Sequence, residues 1–175
     1  MTTPAGCISL TQDRLRHTLA SCAKFRTFCG AADYAEALEH IHHDMLPAPA
    51  NGEVYTLTEI GSYRPYAIVS TALRSAFGKT ADAMSDHYEF AESGRLWLYL
   101  VREVPAEEDN PELDFKNHIG QIIDELCDYA GQAGYLALER ITLMHGPVRG
   151  HHDFNPTEGE EQMCHLEIAF DQGGG

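Results

Sequence analysis

The stretch Arg95-Leu96-Trp97-Leu98-Tyr99-Leu100-Val101 constrains the fold of this chain more than any other. Side chains of an extended strand point alternately to opposite sides, so Leu96, Leu98 and Leu100 share one face and Trp97, Tyr99 and Val101 the other. Both sets are apolar. A strand of this kind belongs in the interior of a sheet, with a helix against one face and other protein against the second.

The rest of the C-terminal half supplies that setting. Asn110 is a strong helix N-cap and Pro111 suits the first helical position, where its missing N–H costs nothing. Phe115, Ile119, Ile122, Leu126 and Tyr129 follow at a four-three alternation, the seam of an amphipathic helix ending near Gly131. Gly134 releases the chain into a second strand, Tyr135 to Met144. A closing strand runs from Gln162 to Asp171, with Cys164, Leu166, Ile168 and Phe170 on one side and Met163, His165, Glu167 and Asp171 on the other. Between these strands, His145 to Glu161 reads as a long polar loop, and a loop of that length suggests function.

Upstream, Ser9 and Gln12 form a capping-box pattern that opens a helix ending at Gly30, with Leu15, Leu19, Cys22 and Phe25 on its apolar face. Asp33 and Glu36 repeat the cap logic for a second helix, whose stripe is Tyr34, Leu38, Ile41 and Met45. Pro47 and Pro49 break the chain. Val54 to Leu57 and Tyr66 to Val69 are β-like, while 72–86 reads equally as loop or short helix. His87 to Phe90 reads as a strand, and Ser93-Gly94 as the tight turn of a hairpin into the 95–103 strand.

The fold class is therefore α+β: a mixed, mainly antiparallel sheet with one long helix (about 110–130) packed on it and two N-terminal helices. The 175 residues read as a single domain, with a helical part at 1–46, a sheet-and-helix core at 53–171 and a flexible tail at 172–175. A domain of this size buries about 70% of the surface its unfolded chain exposes. No apolar run approaches the ~20 residues of a membrane-spanning helix. Met1-Thr2-Thr3-Pro4 lacks the basic and apolar regions of a signal peptide.

Charge divides the classes of partner. Residues 1–104 carry 12 acids against 9 bases, whereas 105–175 carry 15 acids against 3 bases. Such an acidic half repels phosphate backbones, which argues against direct nucleic-acid binding. It suits a solvated face, a docking face for a basic partner, or the wall of a channel that DNA crosses without sticking. The five cysteines, Cys7, Cys22, Cys29, Cys127 and Cys164, are odd in number and lack a CxxC pair, so they read as small core residues in a reduced compartment.

Catalytic signals are sparse. The string His-His-Asp occurs at His42-His43-Asp44 and at His151-His152-Asp153. Paired histidines with a carboxylate are what zinc, iron or manganese would take. In a helix, neighbouring residues sit ~100° apart, so His42 and His43 diverge, although His40 and His43 share a face. In the loop, His145, His151, His152 and Asp153 can converge, which defines an alternative reading as a small metal-dependent hydrolase. Phosphate-cradling, dinucleotide and nucleophile-elbow motifs are absent from the sequence. The carboxylate pairs Asp124-Glu125 and Glu160-Glu161 fall on exposed faces. The leading expectation is a protein without enzymatic activity, catalytic residues or cofactor.

Taken together, residues 94–171 resemble the tail-terminator (tail-completion) proteins of long-tailed bacteriophages and related gene-transfer particles. The features that carry this are the Gly94-to-Tyr99 strand, the helix containing Ile119-Gly120-Gln121-Ile122-Ile123-Asp124-Glu125-Leu126, the Tyr135-to-Ile141 strand, the Gly146-Pro147 turn and the closing strand from Gln162 to Phe170. Upstream, Tyr63 to Val69 is similar to that family's early strand. The resemblance covers somewhat over half of the chain. It implies a structural virion protein, assembled in the host cytoplasm, that forms a ring, typically hexameric, joining the tail tube to the head connector. DNA would pass through the lumen without specific binding, and no membrane is involved. The larger N-terminal helical part, 9–46, departs from a minimal member and keeps a head–tail adaptor or stopper of the neck as the alternative. Loop 145–161 is the expected contact segment, with Arg149, His151, His152, Asp153 and Phe154 at the interface. Arg149 stands out because arginine is enriched at binding hot spots.

Overall fold

A computed structural model of the protein describes residues 4–47, 63–71, 76–81, 88–104, 107, 109–150 and 161–172. In chain order the elements are α1 (Pro4–Ser21), α2 (Ala23–Cys29), α3 (Tyr34–Glu39), β1 (Ile41–His43), β2 (Tyr66–Thr71), β3 (Ala76–Ala81), β4 (Tyr88–Glu103), α4 (Pro111–Tyr129), β5 (Leu138–Gly150) and β6 (Glu161–Gln172). The sheet has the order β1-β2-β4-β6-β5, and β3 extends the β2 side of β4. β1 and β2 are parallel and every other pair is antiparallel, which gives the expected mixed, mainly antiparallel α+β sheet.

The doubly apolar strand is central, between β2 and β6. Its Leu96, Leu98 and Leu100 are buried in register with Ile168, Leu166 and Cys164. Helices cover this face. Asn110 Oδ1 accepts the Leu113 N–H at 3.2 Å, and Pro111 follows at the start of α4. The helix then buries Phe115, Ile119, Ile122 and Leu126, as the spacing predicts. Each such side chain contributes about 1.5–3 kcal/mol of burial.

The expected turn at Ser93-Gly94 does not form. Ser93 is held between Ala76 of β3 and Asp171 of β6, and Gly94 lies opposite Phe170, so β4 runs straight through both. Backbone partners override local turn preference here. The hairpin partner of β4 is β3, a strand within the region that the sequence leaves ambiguous. β3 also pairs with β4 beyond the last residue of β6, so this pair of strands overhangs the sheet.

The first N-terminal helix differs from expectation at both ends. It starts at Pro4, so Ser9 lies within it, and it breaks at Cys22 into α1 and α2. The expected apolar face survives the break, since Leu15, Leu19, Cys22 and Phe25 are all fully buried. Other helices satisfy the broken ends. Arg26 donates to the carbonyls of Ala20 and Ser21 at 3.3 and 3.0 Å, and Tyr129 Oη donates to Ser21 at 3.2 Å. At the start of α2, Cys22 provides no side-chain cap, and Glu125 of α4 instead accepts the Lys24 N–H at 2.7 Å. A carboxylate there satisfies an orphan donor and meets the positive end of the helix dipole. Glu125→Ala should therefore destabilise the fold by about 1 kcal/mol, in the range of other N-cap losses. Urea unfolding checks this, with Glu125→Gln retaining most of the stability because its amide oxygen still accepts.

Gly30 closes α2 with φ 72°, the left-handed geometry that glycine adopts without strain. Asp33 caps α3 by accepting the Glu36 N–H at 2.9 Å, while Glu36 reaches back to the Ala32 N–H at 2.7 Å. The second helix is shorter than its stripe implies. It ends at Glu39 with His40 as its C-cap, and Ile41–His43 pairs with β2 instead. The open edge of β2 takes up these backbone groups, with the Ala67 N–H donating to the His40 carbonyl at 2.8 Å. Met45, expected on the stripe, is 69% exposed.

Candidate functional site on the open face of the sheet

The buried residues of α1, α2, α3 and α4 join the cluster on the Leu96, Leu98 and Leu100 face, and on the second face of β4 Trp97 and Tyr99 are only partly buried. Side chains of this second face form three cross-strand rows over β2, β4 and β6: Tyr66·Val101·Met163, Ile68·Tyr99·His165 and Ser70·Trp97·Glu167. The first row thickens into a small apolar cluster with Leu46 and Tyr63. In the second, the rings of Tyr99 and His165 stack at 4.3 Å, and Trp97 meets His165 edge-on at 5.5 Å. Tyr66, Ile68, Ser70, Trp97, Tyr99, Val101 and Met163 of these rows line an open cavity of about 440 Å³ together with Asp44 and Glu161.

Charges around this cavity are arranged unevenly. Arg64 is paired with Glu161 at 2.7 Å, and Arg95 with Glu167 at 2.9 Å. Asp44 is exposed, and its Oδ1 accepts from the neutral amide of Gln12 at 3.1 Å. Its backbone has φ 61°, held by its N–H to the Val69 carbonyl and by the following N–H of Met45 to the His43 carbonyl. Aspartate and asparagine tolerate this left-handed conformation better than other non-glycine residues. Burial, with a smaller contribution from Glu161, pushes the Tyr66 hydroxyl up to about 12. Burial also holds the His42 imidazole below its usual range, helped by Arg16 and His40. The Trp97 Nε1 and His42 Nε2 atoms are buried without a hydrogen-bond partner among the described residues.

The first His-His-Asp string is thus not a helical metal site. As strand neighbours, His42 and His43 diverge: His42 meets the rings of Tyr63 and Tyr66, and His43 Nε2 approaches Asp13 of α1 at 3.5 Å. His40 is turned away to the Pro65 carbonyl at 2.7 Å, so it shares no helix face with His43. Among the described residues, no cluster of three or more His, Cys, Asp or Glu converges on a point. For the second string, His145 and Arg149 belong to β5, with backbone register to His165 and Gln162, which shortens the expected loop. His151, His152, Asp153 and Phe154 lie outside the described residues.

Of the cysteines whose side chains are described, which leaves out Cys7, three meet the expectation of core residues and one does not. Cys22, Cys29 and Cys164 are buried, whereas Cys127 is exposed on the outer side of α4. Burial raises the Cys22 and Cys164 thiols to about 12 and Cys29 in the same direction. Because the thiolate is the nucleophile, these three should resist a disulfide reagent at pH 8 until the protein unfolds. Cys127 should react in the folded state. Mass mapping of the labelled cysteines checks the order.

The acid excess is partly visible on the same helix, where Glu112, Asp124 and Asp128 are exposed alongside the base Lys116. Among the described residues, no helix is long and apolar enough to cross a membrane. The aromatic surface was legible only as the alternation of Trp97, Tyr99 and Val101. That pattern predicts a covered face, but it does not distinguish covering by the chain itself from covering by a partner.

No protein-family model matches the chain, and no curated protein does. Among solved structures, a chain from the virion of a native gene transfer agent particle aligns over 92% of this chain and 94% of its own length. Its sequence identity is 9% and the TM-score is 0.36, a likeness too low to carry an argument about function.

Proposed function

We propose that this protein is a structural, non-enzymatic subunit of a phage-like particle: a ring-forming tail terminator that joins the tail tube to the head connector. The family assignment rests on the sequence resemblance over residues 94–171. The structural observation that carries an assembly role is the edge strand β5. It pairs only with β6 among the described strands, and its Leu143 and Met144 are 53% and 44% exposed. Long apolar edges are a liability in a monomer, and an interface that covers them removes it. Arg149 of β5 and the residues that follow in sequence, His151, His152, Asp153 and Phe154, are included in the proposed contact region. The acidic excess after residue 104 suits a lumen that DNA crosses, or a rim set against a basic connector.

Light scattering tests the ring, with an expected mass of several times the 19.4 kDa of one chain and a hexamer as the first candidate. Electron microscopy with purified tail tubes tests the position, and density at the tube end is the expected result. A strictly monomeric protein that leaves tail tubes uncapped would remove the terminator reading. A ring that binds the head connector but not the tube would favour an adaptor or stopper.

A further inference from the structure

We propose that the cavity on the open sheet face is a recognition site for an arginine side chain of a partner protein. Three features converge. Trp97 and Tyr99 place aromatic side chains along the cavity, and a guanidinium stacks favourably on such rings. Asp44 brings a carboxylate to the same cavity. The neighbouring cations do not neutralise it, because Arg64 and Arg95 are each engaged by their own carboxylate at 2.7 and 2.9 Å. The volume, about 440 Å³, lies within the range of small-ligand pockets and exceeds what one side chain needs, leaving room for the flanking backbone.

Charge decides between occupants. A neutral apolar side chain would gain from the rings but offer no counter-charge to Asp44, whose partner in the structure is the neutral amide of Gln12. An acidic one would meet Asp44 with like charge. An arginine gains from both the rings and the carboxylate, and its planar fork matches carboxylate geometry. This site is independent of the ring: it can exist in a monomer, and a ring can form without it.

Trp97 is the single tryptophan of the chain, so its fluorescence reports on this cavity alone. The test titrates the full-length protein with N-acetyl-arginine amide at low salt and, in parallel, with the neutral isostere N-acetyl-citrulline amide. The expected result is a saturable change in Trp97 emission, with arginine binding about threefold to fivefold more tightly than citrulline, the scale of one cation–π or exposed ionic contact. Asp44→Asn, which tolerates the same backbone conformation, should weaken arginine binding and narrow its advantage over citrulline to the part the rings supply. Equal binding of the two compounds would overturn the proposal. So would an unchanged arginine affinity in Asp44→Asn, or no saturable response to either compound. Light scattering on the same sample separates this outcome from the fate of the ring.

Discussion

Phe115→Ala is expected to destabilise the protein by about 3–5 kcal/mol, the usual cost of removing a large aromatic ring from a core. Phe115 is fully buried in the first half of α4, at the junction of three elements. Its ring stacks with Phe28 of α2 at 6.2 Å, and the Arg102 guanidinium of β4 lies 5.1 Å from its centroid. Losing the ring leaves a cavity between helix and sheet and also removes the surface on which Arg102 rests. Chemical unfolding by circular dichroism provides the measurement. A loss below about 1 kcal/mol would mean that α2 and α4 can close the gap, contrary to the close ring contact.

Arg102→Leu is expected to cost about 3 kcal/mol, although it replaces a charge by a good core residue. Arg102 is only 5% exposed. Its Nε donates to the Gln162 side chain at 2.8 Å and its Nη2 to the Pro111 carbonyl at 2.9 Å. The charge is thus tied to the strand beside it and to the first turn of α4. Leucine would strand the Gln162 oxygen, on a side chain that is 1% exposed, and a buried acceptor without a donor costs about 1–3 kcal/mol. The double variant Arg102→Leu/Gln162→Leu removes both polar groups and should recover part of the loss. If the double variant is less stable than the sum of the singles predicts, the polar pair is not what Arg102 maintains. Phe115 and Arg102 touch, so their own costs should not add.

Legibility in the sequence followed the range of the interactions. The α4 helix was readable because its signals are local: Asn110 and Pro111 mark its start, and the seam from Phe115 to Leu126 repeats within a few residues. The same holds for β6, whose alternation of Cys164, Leu166, Ile168 and Phe170 with polar neighbours matches the buried face residue by residue. The errors occurred where distant groups took over local ones. Ser93-Gly94 is turn-like in isolation, yet Ala76 and Asp171 hold Ser93 extended from either side. His42 and His43 continue a helical stripe in sequence, yet β2 draws them into a strand and separates their rings.

The amino-acid sequence by itself determined a central strand with two apolar faces, the helix that covers one of them and the acidic character of the C-terminal half. Periodicity and local caps are enough for that, because they act between near neighbours. Only the tertiary structure decided that the first helix breaks at Cys22, since two of the groups that satisfy the break beside the local Arg26, Glu125 and Tyr129, lie more than a hundred residues away in α4. It likewise decided the fate of the second apolar face. Buried residues of α1, α2, α3 and α4 share one core cluster with Leu96, Leu98 and Leu100, while Trp97 and Tyr99 line an open cavity together with Asp44. Which face a set of helices covers depends on how they fill space together, and a strand that is apolar on both sides does not specify it.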